Sequence, residues 1–211
     1  MNKKNIFLAF GILLIVIVAV AILILNFFSD EQRSDSFLSS LKGEIVFTRR
    51  DGLYLNIYKI NADGTGEKML YHHENKVNSN ASFPFWSENG SEIYFAAMKD
   101  REWVKFVMDA DGKNVRATEE KDPYQISRES REKDIIVKEG SIYILNKKGE
   151  EILIRLHKDY DFYLNPGPEE CSWSPDKKYI IFQIKGYITI INKEGTKTAK
   201  ITKGGRANWK Y

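Results

Sequence analysis

Between residues 43 and 211 the chain repeats a three-strand unit four times, and this recurrence limits its possible folds more than any other feature. Four segments run apolar and close on a large residue: Glu44-Ile45-Val46-Phe47, Glu92-Ile93-Tyr94-Phe95, Asp134-Ile135-Ile136-Val137 and Tyr179-Ile180-Ile181-Phe182, with last residues 48, 42 and 45 apart. Each leads into a second strand that ends on a glycine turn, at Gly64, Gly112, Gly149 and Gly195. A third strand follows near Lys68 to Tyr71, Val115 to Thr118, Ile152 to Leu156 and Thr198 to Thr202. Short β-branched and aromatic runs punctuated by Asp-Gly, Lys-Gly and Asn-Gly, without long amphipathic stretches, predict an all-β domain.

A further strand precedes two of the units. Pro84-Phe85-Trp86-Ser87-Glu88-Asn89-Gly90 and Cys171-Ser172-Trp173-Ser174-Pro175-Asp176-Lys177 each place Trp nine residues before the closing Phe. Here the chain resembles the TolB-type, WD-like β-propeller repeat: a P-x-W-S-P-D-G turn, an I-x-F strand, a strand ending D-x-D-G and a strand ending in Leu-Thr. The second unit, Pro84 to Thr118, and the fourth, Trp173 to Thr202, follow the pattern. The third has Ile126 and Arg128 where Pro and Trp would stand, and the first has no Trp strand of its own. The segment Arg206-Ala207-Asn208-Trp209-Lys210-Tyr211 looks like the missing strand, placed at the other end of the chain. The expectation is a small four-bladed β-propeller of about 42 residues per blade, closed by N- and C-terminal strands, with the chain complete in itself. TolB-like domains usually have more blades, so pairing of two chains into a larger homo-oligomeric ring stays open.

Ahead of the repeats, Ile6 to Phe28 is a run of 23 residues without a charge, 18 of them Ile, Leu, Val or Phe. As a helix it would span about 34 Å, against a hydrocarbon core of roughly 30 Å, and insertion would be favoured by about 5 to 11 kcal/mol. A cleaved signal peptide is the competing reading, because Ala19-Val20-Ala21 resembles a cleavage site. However, the apolar run continues through Phe28, beyond the usual 7 to 15 residues of a cleavable segment (about that range in most leaders). The expected organisation is a cytoplasmic tip (1–5), a transmembrane signal-anchor helix (6–28), a stem (29–42) and the propeller (43–211). Lys3 and Lys4 before the run, against Asp30, Glu31 and Asp35 after it, keep the N-terminus cytoplasmic and put the domain outside the cell membrane.

In a four-stranded antiparallel blade, middle loops and blade-to-blade crossovers share one face, and the short glycine turns share the other. The crossover face gathers Arg49, Arg50, Tyr54, Arg101, Trp103, Tyr124, Tyr160, Phe162 and Tyr163. This aromatic and cationic set suits stacking on sugars or holding acidic peptide groups. The alternative is that the aromatics pack between blades while the arginines solvate loops. Because the stem enters on the short-turn face, the crossover face should point away from the membrane.

Little in the sequence suggests catalysis or a cofactor. His72 and His73 are adjacent and would point to opposite sides of a strand, and Asp109-Ala110-Asp111-Gly112 lacks the remaining acids of a calcium loop. There is no G-x-S-x-G, G-x-x-x-x-G-K-[ST] or H-E-x-x-H motif. Cys171, the only cysteine, stands two residues before Trp173 and reads as a packed thiol, and Glu169-Glu170 reads as a solvated loop. Without Lys3 and Lys4, Lys and Arg number 30 against 29 acids, which gives no electrostatic case for nucleic acid. The resemblance implies an extracytoplasmic, non-catalytic module that binds or scaffolds a protein or cell-wall polymer, and the apolar run adds membrane anchoring, with the lipid bilayer as a second partner. The alternative is a propeller enzyme or an accessory to a glycosidase or peptidase.

Overall fold

The computed structural model describes residues 36–72, 80–119, 134–155 and 169–210, with positions 16 and 18. The rest of the predicted anchor, the cytoplasmic tip, and Tyr124, Ile126, Arg128, Tyr160, Phe162 and Tyr163 lie outside the described residues. Among the described residues no helix is long and apolar enough to cross a membrane.

The described strands form four antiparallel sheets. Sheet I has the order β15 (Gly205–Trp209), β1 (Glu44–Asp51), β2 (Tyr54–Asn61), β3 (Lys68–Tyr71). Sheet II contains β4 (Ala81–Trp86), β5 (Glu92–Lys99), β6 (Glu102–Asp109) and β7 (Arg116–Ala117) in sequence order. Sheet III contains β8 (Ile135–Lys138), β9 (Ser141–Leu145) and β10 (Glu151–Arg155). Sheet IV contains β11 (Glu169–Trp173), β12 (Tyr179–Ile184), β13 (Tyr187–Asn192) and β14 (Thr198–Lys203). The expected closure is present: β15 pairs with β1 through Ile45↔Trp209 and Val46↔Asn208, so the two ends of the domain share one sheet.

Strand alternation explains how the sheets stack. On β1, Ile45 and Phe47 face sheet IV and join Ile181, Ile188 and Trp209 in one core, whereas Val46 faces sheet II and joins Ile93, Phe95 and Trp86. Sheet IV is likewise buried on both sides, Ile181 toward sheet I and Ile180 and Phe182 toward Ile142 and Ile154 of sheet III. Phe47, Phe95 and Phe182 occupy equivalent places and are each almost fully buried. Removing one such ring from water stabilises by about 2 to 3 kcal/mol.

Repeated turns follow from repeated residues. The Ser after Trp accepts from the next strand, Glu92 N–H to Ser87 Oγ and Tyr179 N–H to Ser174 Oγ, both at 3.0 Å. Each third turn closes with a glycine N–H donating to the carbonyl three residues back, as Gly112 to Asp109 and Gly195 to Asn192.

Three sequence expectations change. Arg49 and Arg50, placed by the sequence among the loops of the crossover face, are strand residues of β1, and the turn that follows them lies at 52–53. Glu169 and Glu170 open strand β11 instead of occupying a solvated loop. The stem does form a helical turn, at 36–39, but it docks on the domain: Phe37 and Leu41 are buried in the core between sheets I and IV.

Candidate functional site

The inner strands β4, β11 and β15 share an irregularity that shapes the crossover face. The residue three positions before each Trp has a left-handed backbone, with φ of 57° at Phe83, 53° at Glu170 and 51° at Arg206. Pairing with the next strand slips at the same places. Such a φ costs a non-glycine residue about 1 kcal/mol or more. Its recurrence at three equivalent positions identifies it as a designed bulge that re-aims a side chain.

The three re-aimed side chains meet. The Arg206 Nε lies 3.3 Å from Glu170 Oε1, and the Arg206 backbone N–H donates to Glu170 Oε2 at 2.6 Å. Its Nη1 donates to Ser82 Oγ, which is also 3.3 Å from Thr48 Oγ1. Its guanidinium carbon stands 4.1 Å from the centre of the Phe83 ring. Phe83 in turn meets Trp103 edge-on at 6.4 Å, and Trp103 is half exposed. A line of contacts, Trp103–Phe83–Arg206–Glu170, thus crosses sheets II, I and IV.

Beside it opens a cleft of about 490 Å³ over the seam of sheets I and IV, walled by Arg49, Arg50, Leu55, Glu170, Gln183 and Lys203. Its floor is the β14–β15 crossover. A Cβ on Gly204 would sit 2.7 Å from the Phe47 ring and 2.8 Å from the Thr48 carbonyl oxygen, and one on Gly205 would sit 1.6 Å from Gln183 Oε1. Only glycine lets this crossover lie flat on the seam.

The four cations on the cleft wall have different fates. Arg49 lies 3.8 Å over the Tyr58 ring and pairs with Glu67 at 2.6 Å and Asp51 at 3.4 Å. Burial pulls its guanidinium down, but the Tyr58 and Glu67 contacts outweigh this and hold it charged. Burial pushes the Glu67 carboxyl up, and the Thr202 hydroxyl and Arg49 outweigh it, leaving Glu67 below the usual range. Arg206 is held by Glu170. Arg50 and Lys203 are exposed, and no ion pair compensates either among the described residues.

Of the predicted binding residues, Arg49 and Arg50 reach the cleft, with Arg49 serving the fold. Trp103 ends the aromatic ledge. Arg101, on the β5–β6 turn with φ of 73°, and Tyr54, opposite Asp51, are on the same face but outside the cleft wall. Tyr124, Tyr160 and Tyr163 are not among the described residues. Sequence reading passed over Phe83, Glu170, Lys203 and Arg206; aligning the units on Trp and inspecting the third residue before it would have singled out three of the four. Among the described residues no cluster of His, Cys, Asp and Glu could hold a metal ion.

No protein-family model and no curated protein matches the sequence. Among solved structures, TolB from Acinetobacter baumannii aligns with a TM-score of 0.30 and 10% identity over 79% of this chain and 43% of its own. A putative TolB from Agrobacterium tumefaciens aligns with a TM-score of 0.31 and 13% identity over 77% and 63%. A nidogen/laminin complex gives a TM-score of 0.26 and 12% identity over 74% and 60%. The chain therefore spans less than two thirds of these proteins. The architecture rests instead on its own strand order and closure: the described residues from Glu44 to Trp209 are all-β, built of antiparallel sheets in an arrangement consistent with a four-bladed propeller.

Proposed function

We propose that this protein is a membrane-anchored, extracytoplasmic β-propeller of TolB-like type that acts without catalysis, binding a protein or cell-wall polymer on its crossover face. The observation that carries the reading is the cleft at the seam of sheets I and IV, with Arg50 and Lys203 on its wall and without an ion pair among the described residues, and the Phe83–Trp103 ledge beside it. Two of the three bulge residues, Glu170 and Arg206, line it, and backbone strain of that kind collects where a surface is used. Glu170, the one acid on the cleft wall among the described residues, is paired with Arg206, which suits a binding role better than acid–base work. Anchoring is supported by the charge-free run from Ile6 to Phe28 and the lysines before it.

The test is photocrosslinking of the full chain in its native membrane, with benzoylphenylalanine in place of Trp103 and, as a control on the short-turn face, in place of Lys147. A discrete adduct from position 103 and none from 147 is expected. Adducts from 147 alone, or from neither position, would refute the proposed surface.

A further inference from the structure

Deepening that reading, we infer that the cleft over the seam of sheets I and IV is a receptor for the carboxylates of an acidic peptide segment of a partner protein, with Arg50 and Lys203 as the recognising cations. Within the cleft wall Arg49 is occupied by Glu67 and Asp51, and Arg206 by Glu170. Among the described residues Arg50 and Lys203 then have no ion-pair partner, and both are exposed, over a floor of glycine backbone. Cations of this kind in a concave site attract and orient acidic groups, and the neighbouring Trp103 offers an adjacent apolar side chain a surface to cover.

The size of the cleft decides between peptide and polymer. A space of about 490 Å³ with two exposed cations on its wall suits one or two carboxylates and a few side chains of a peptide, and not a long track for a polyanion charged on every unit.

The probes are a fluorescent amidated peptide with two adjacent glutamates followed by leucine, its glutamine counterpart, and polygalacturonate, each titrated into the detergent-solubilised full chain at several salt concentrations. The variant is Arg50→Ala with Lys203→Ala; both side chains are exposed, so the fold should be retained, and circular dichroism checks this. The glutamate peptide should bind at least about tenfold more tightly than the glutamine peptide, weaken as salt rises, and lose about tenfold or more in the double variant. Equal binding of the two peptides, binding unchanged in the folded variant, or tighter binding of polygalacturonate would overturn the inference. If crosslinking through position 103 persists in the double variant while peptide binding never depended on Arg50 and Lys203, the binding surface stands and the acidic-peptide assignment fails.

Discussion

Arg49 and Arg50 are adjacent and chemically identical, yet strand alternation gives them different work. Arg49 shares the side of β1 that carries Ile45 and Phe47, so it meets Tyr58 and becomes part of the wall between sheets I and IV. Arg50, one residue on, is exposed at the cleft. Glu44 shows the same positional logic at the closure. It reaches Lys59 at 2.6 Å and Lys210 at 3.1 Å, tying the strand after the stem to the end of the chain. Burial pushes the Glu44 carboxyl up, but hydrogen bonds and charge from Lys59 and Lys210 outweigh it and hold it below the usual range. A carboxylate with a depressed folded-state pKa stabilises above its unfolded value, near 4 (about 4.3 for Glu), and loses that contribution as pH falls through the folded value. Glu44→Gln should therefore cost about 0.5 to 1 kcal/mol at neutral pH. The difference from wild type should vanish at the acid end, as urea unfolding midpoints from pH 7 down to about 3 would show. A gap that persists or widens in acid would mean that Glu44 acts through its shape and not its charge.

At the scale of the strand and turn, the glycines of the third turns are packing devices as much as turn formers. A Cβ on Gly112 of sheet II would come within 2.9 Å of the Leu70 carbonyl oxygen of sheet I, and one on Gly195 of sheet IV within 2.2 Å of the Ile154 carbonyl oxygen of sheet III. On sheet I the same part is played by the stem, since Gly64 faces Leu38 at 3.2 Å. Gly149 of sheet III has nothing within 4 Å. The four share a left-handed φ, between 72° and 90°, so backbone strain alone predicts equal sensitivity. Packing predicts otherwise: Gly149→Ala should cost about 1 kcal/mol for φ alone, whereas Gly195→Ala adds a clash with backbone and should cost about 3 kcal/mol or more. Equal shifts in the urea midpoint would show that the sheets do not pack rigidly through this turn. These glycines were legible in the sequence as turns, because Asn or Asp three residues earlier makes the local signal complete. The second role of Gly112 and Gly195 was not, because the carbonyl each of these two faces belongs to another sheet. The bulges at Phe83, Glu170 and Arg206 were hidden for a related reason: three side chains of unlike chemistry share a φ that residue type does not announce. Closure by Trp209 could be read because the repeat arithmetic left one strand over.

At the scale of the molecule, docking of the stem would turn the proposed anchor into an orientation. Phe37 tilts against Tyr179 at 5.8 Å, Tyr179 stacks on Trp209 at 6.1 Å, and the Trp209 Nε1 donates to the Lys42 carbonyl oxygen at 3.1 Å. These contacts fix the helical turn to the short-turn side of sheets I and IV, beside Gly64. On the anchored reading only residues 29–35 separate the end of the apolar run from this turn, and seven residues reach at most about 25 Å. On that reading the short-turn face is held near the bilayer and the cleft is turned outward. Arg101→Cys and Lys147→Cys, each in a Cys171→Ser background, report on the two faces in intact cells. A small membrane-impermeant maleimide should label both, since both lie on the same side of the membrane. A maleimide carrying a bulky polymer should label position 101 several-fold faster, because the bilayer crowds position 147. Labelling only after lysis would place the domain on the cytoplasmic side, and the reverse order with the bulky reagent would mean that the cleft faces the lipid, where no partner protein could reach it without displacing the anchor.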